Sequence, residues 1–210
     1  MWRSSRVIVS SSKKGPPAAP LERAPWSTEE DRVVPVTVEW DRVLMDAPKV
    51  AGYVGGLRVY PSGFEVRITA VLRPDGSGLS DRKLEARLRL QTHLRPREPA
   101  ATADEMARMF RVGVQFEDGR HAVADQGPHV FHPFSPDTAL PAVRFGGGSW
   151  TRGGPAYTDL RVFGLPEEGS VTLFYQWLEF GVAESSVVID GDALRAAAAR
   201  ATVLWEHPPG

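Results

Sequence analysis

The chain has 210 residues, with 42% hydrophobic and 24% charged residues and a formal net charge of −1. That balance excludes a wholly disordered chain, which needs few apolar residues and a large net charge. The 20 glycines and 18 prolines exclude a long coiled coil, and the absence of cysteine excludes disulfides, thiolate metal sites and a thiol nucleophile.

Residues 1–32 carry Ser10-Ser11-Ser12, Gly15-Pro16-Pro17-Ala18-Ala19-Pro20 and Glu29-Glu30-Asp31-Arg32. Such a composition does not bury enough surface to offset its ordering entropy, so a disordered or loosely docked tail is expected, with Trp26 as one ring able to dock. The segment holds no apolar core of a secretory signal, and no apolar run reaches the length of a membrane span. A cytoplasmic protein is the expectation.

Period-two alternation dominates from residue 33 onward, and a single domain over 33–207 is expected. Val34, Val36, Val38 and Trp40 alternate with polar residues, and Phe64, Val66, Ile68, Ala70 and Leu72 do the same. Between these runs lies Tyr60-Pro61-Ser62-Gly63, a turn sequence. Closing it on a left-handed glycine pairs Tyr60 with Phe64 and Arg58 with Val66. That gives mixed faces, so either the register differs or both faces are partly covered. Over 83–95 the leucines favour a strand by alternation against a helical propensity, and Thr102…Glu105 has capping-box spacing for a short helix near 103–108.

Val112, Val114 and Phe116 lead into Asp118-Gly119, a two-residue hairpin signal that places Glu117 opposite Arg120 and Phe116 beside His121. Residues 125–156 are rich in Gly and Pro and read as one long loop containing Gly146-Gly147-Gly148 and Trp150. Strands follow at 160–165, 171–180 and 187–189. Asp190 is placed to cap a helix over 191–201, which Leu204 and Trp205 would pack down. The whole reads as a mainly β chain, a single antiparallel β-sandwich with a C-terminal helix.

Phe110-Arg111-Val112-Gly113-Val114-Gln115-Phe116, Asp118-Gly119-Arg120, the Gly146–Gly148 run before Trp150, and Trp177 followed by Phe180-Gly181 resemble a group of uncharacterised actinobacterial β-rich proteins. The resemblance covers roughly residues 33–205 and implies no catalytic residue or cofactor. Members of that group tend to carry a glutamate where this chain has Gln176.

Several chemistries can be weighed residue by residue. His121, His129 and His132 are close in sequence, but the prolines around the latter two argue against a helix that would give them one face, so a metal site is not expected. Asp125 could complete such a site only through a particular loop fold. Glu65, Glu179, Glu184 and Asp159 are the carboxylates able to serve acid–base hydrolysis, with Glu179 singled out by its apolar surroundings and His121 as its partner. The Gly-rich run lacks a P-loop ending, and no serine nucleophile elbow occurs. Exposed aromatics stack on sugars, bases or partner side chains, and Trp40, Trp177 and Trp205 are expected in the core. That leaves Trp150, with Gly147 and Tyr157, as the expected binding residues. The favoured reading is a non-enzymatic interaction or ligand-binding module without cofactor, whose partner is a protein or small ligand rather than nucleic acid. The alternative is a carboxylate/histidine hydrolase.

Overall fold

A computed structural model describes residues 27, 32–73, 108–124, 134, 137–150 and 155–205, with 147–150 as backbone only. The expected tail over 1–32, strand over 83–95 and helix near 103–108 lie outside these residues, save Ser27, which is buried, Arg32, and Arg108, which is helical. Among the described residues the chain is mainly β, with antiparallel sheets that do not close into a barrel. No helix there is long and apolar enough to cross a membrane.

The strands are β1 (Val33–Val34), β2 (Val36–Asp46), β3 (Val50–Tyr60), β4 (Gly63–Leu72), β5 (Arg111–Phe116), β6 (His121–Val123), β7 (Ala142–Trp150), β8 (Ala156–Phe163), β9 (Val171–Trp177), β10 (Val182–Ile189) and β11 (Thr202–Val203). They form a five-stranded sheet in the order β2-β3-β4-β8-β7, a four-stranded sheet in the order β10-β9-β5-β6, and the ribbon β1-β11. One contiguous core draws on both larger sheets: Leu57, Phe64, Val66, Leu160 and Val162 from the first, Val112, Val114, Phe116, Leu173 and Trp177 from the second. Alternate residues of each strand supply these side chains, as a pleat with one face covered requires.

Two hairpins differ from expectation by one residue. The β3–β4 turn has Pro61 and Ser62 as its two central residues, so Tyr60 pairs with Gly63, Val59 with Phe64 and Arg58 with Glu65. This register removes the mixed faces: Val59, Phe64 and Val66 face the core together. Gly63 is needed because a Cβ there would collide with the Val162 carbonyl oxygen. At the other hairpin, three residues form the loop, since Phe116 N–H donates to the Arg120 carbonyl at 2.8 Å and Gly119, at φ 89°, donates to Phe116 at 2.9 Å. A type I turn followed by a left-handed glycine has this form. His121 therefore pairs with Gln115 and is exposed, not packed beside Phe116. Arg120 pairs with Asp118, while Glu117 accepts from Ser170 N–H at 2.8 Å.

The expected 125–156 loop is also corrected. Residues 142–150 are strand β7, bulged between Phe145 and Gly148, and β8 begins at Ala156. Glycines carry no side chain and so conceal alternation, but their backbone pairs as any other does. Helix α1 (Gly191–Ala198) starts where expected, with Asp190 Oδ1 accepting from Asp192 N–H at 2.8 Å and Ala193 N–H at 3.2 Å. It stops before 201 because Thr202 and Val203 pair with β1. Leu194 and Ala197 bury its inner face, whereas Leu204 and Trp205 are exposed and do not pack it down. Trp40 and Trp177 are in the core as expected.

Candidate functional site

The side of the five-stranded sheet facing away from the core is rich in charge and tyrosine. Its residues fall into rows that cross the strands. Arg58, Glu65, Arg161 and Arg144 are successive partners across β3, β4, β8 and β7. Tyr53, Thr69, Tyr157 and Ser149 form a second row, which Val43 extends onto β2. Between them Arg67 pairs with Asp159.

The contacts within these rows are specific. Arg67 donates Nε to Asp159 Oδ1 at 2.7 Å and Nη2 to Oδ2 at 2.9 Å, a bidentate pair. Arg58 donates Nε to Glu65 Oε1 at 2.9 Å and Nη2 to the same oxygen. Both carboxylates are buried, but the arginine side chains are 46% and 50% exposed for Arg58 and Arg67. The Arg67 guanidinium lies 4.5 Å from the Tyr157 ring centroid, and buried Arg161 stacks at 3.6 Å on Tyr60. Arg67 is held above the usual guanidinium range by its hydrogen bond to Asp159. For Arg58, burial opposes the charge, but the hydrogen bond and charge of Glu65 outweigh it and the net shift is upward. These guanidinium groups are fixed donors at a solvent boundary. The two carboxylates already accept from arginine and are not positioned as a catalytic pair.

The sequence-predicted residues are dispersed. Glu65, Asp159 and Tyr157 come together on this face. Glu179 lies in the 3-10 turn Leu178–Phe180 after β9, and Glu184 is exposed on β10. His121 is level with Gln115 at one end of β5, while Gln176, near Glu179, is level with Arg111 at the other. Four strand residues, about 13 Å, separate those levels, so Glu179 and His121 do not form a pair. Gly147 and Trp150 are backbone of β7, Trp150 pairing with Ala156, and the Trp150 side-chain contact expected from sequence lies outside the described residues. So do Asp125, His129 and His132. Among the described residues no group of three His, Asp or Glu side chains is gathered as a metal site would need. Arg58 and Arg67 were missed by sequence reasoning. Their signal was alternation itself, since Glu65 and Arg67 occupy the polar positions of β4.

The chain matches no protein family, no curated protein and no solved structure.

Proposed function

We propose that residues 33–207 form an antiparallel β-sandwich that works in the cytoplasm as a non-enzymatic interaction or ligand-binding module. This is the reading that the resemblance to the actinobacterial β-rich group leaves open. The core common to the two larger sheets supports the sandwich. The binding surface is the outer face of the five-stranded sheet. One observation carries this: Arg67 is clamped by Asp159 on one side and covered by Tyr157 on another, yet its side chain stays half-exposed. A guanidinium fixed before a ligand arrives loses less entropy on binding than a mobile one.

The test is a fragment screen followed through the arginine Nε–H resonances of the full chain. Binding fragments are expected to perturb Arg58 and Arg67 before other arginines. Turnover of chromogenic glycosides or esters, abolished by Glu179→Gln, would instead favour the hydrolase alternative.

A further inference from the structure

We infer that the outer face of the five-stranded sheet takes a neutral oligosaccharide, laid across the strands between the tyrosine row and the arginine row. The inference rests on the reading of that face as a binding surface and names its ligand class. The middle of the face is poor in side chains on either flank of the Arg67–Asp159 pair. On β3 the bulge between Val54 and Leu57 sets Gly55 and Gly56 beside Arg67. On β7 the bulge between Phe145 and Gly148 brings Gly146 so close to Asp159 that a Cβ there would lie 3.4 Å from the Asp159 Cβ. Gly55 and Gly146 are both exposed. The row crossing the strands between these glycines is therefore low except at Arg67, whose half-exposed side chain rises from it beside buried Asp159.

The walls have the chemistry of a hydroxyl-rich ligand. Val43, Tyr53, Thr69 and Tyr157 form one wall, Tyr53 being 46% and Val43 71% exposed. Two strand spacings put the tyrosine positions about 10 Å apart, enough for successive ring units of an extended chain to lie against them. Sugar C–H faces pack on such rings. Arg58 in the opposite row, and Arg67 between the two rows, use Nε and Nη2 for their carboxylates and keep their other N–H groups for hydroxyl acceptors. Each of these half-exposed guanidinium groups is matched by a carboxylate, so together they offer direction without net charge. A nucleic acid gains its affinity from uncompensated cations that release counterions, and the chain as a whole carries a net charge of −1.

The experiment titrates the labelled full chain with maltohexaose, cellohexaose, xylohexaose and chitohexaose, and separately with a single-stranded oligothymidylate. The expected result is a shift of the Arg58 and Arg67 Nε–H signals with at least one neutral oligosaccharide. Tyr53→Ala should then weaken binding about tenfold, and Arg67→Lys should weaken it with the amide spectrum of the fold intact. Shifts with oligothymidylate and with none of the sugars overturn the ligand class but leave the face as a binding surface. Silence of both arginines toward every probe, including the fragments, overturns both.

Discussion

Tyr175 on β9 donates its hydroxyl to the backbone carbonyl of Leu44 on β2, so one phenol ties the four-stranded sheet to the five-stranded one. Both residues are buried. Tyr175→Phe removes the donor and leaves a buried carbonyl without its partner, which should cost about 1–3 kcal/mol in denaturant unfolding. Burial also pushes the Tyr175 phenol above its ordinary value of 10.0, against a smaller opposing effect of a hydrogen bond with Ser185. A raised pKa in the folded state means that this stabilisation is complete below the unfolded value and lost as pH rises through the folded one. Ultraviolet titration of tyrosinate should therefore show a late-ionising component that Tyr175→Phe removes.

Gly63 and Gly119 separate two reasons for glycine. Nothing lies within 4 Å of a Cβ at Gly119, and its φ of 89° is the obstacle. Gly119→Ala should cost the left-handed penalty of about 1–2 kcal/mol. At Gly63 a methyl group meets the backbone of Val162, which cannot rotate away. Gly63→Ala should cost about 3 kcal/mol by forcing β4 and β8 apart, a larger loss in the same thermal or denaturant measurement.

Asp118 is held below its ordinary 3.8 first by the Arg120 side chain and then by the Arg120 backbone N–H. A lowered folded-state pKa means the turn's contribution is present above the unfolded value and lost as pH falls through the folded one. Carboxyl carbon NMR should find the Asp118 midpoint below its ordinary 3.8. Arg120→Ala should bring it partly back, because the backbone donor remains.

Two tryptophans make opposite predictions. Trp177 is 3% exposed and packs against Phe110 at 5.3 Å and Phe180 at 4.5 Å between ring centroids. Trp177→Ala should cost about 3–5 kcal/mol. Trp205 is 55% exposed, and Trp205→Ala should change stability by no more than about 0.5 kcal/mol. Equal losses for the two would contradict the placement of Trp205.

The contrast between these tryptophans also marks how far the sequence could be read. Alternation located β2, β4, β5 and β8, and the Asp190 cap located α1, because each is a local property of the chain. Register escaped because Asp118-Gly119 suits both a two-residue and a three-residue loop. Strand β7 escaped because Gly146, Gly147 and Gly148 give no hydrophobic pattern. Of the site, Glu65, Asp159 and Tyr157 were named from their chemistry. Glu65 meets Arg58 through the β3–β4 hairpin register, whereas the meeting of Asp159 and Tyr157 with Arg67 depends on β4 pairing with β8 across a long stretch of sequence, which no local pattern reports.

The pairing of Val33 with Val203 brings the first and last strands among the described residues side by side. Paired Cα atoms lie about 5 Å apart, so a short peptide could join the two ends of this body. The chain could then be reopened at a hairpin tip such as Ser62 or Gly119 without severing a sheet. By the same geometry, residues 33–203 could be spliced as a cassette into a surface loop of another protein, because the host loop would be interrupted by little more than one strand spacing.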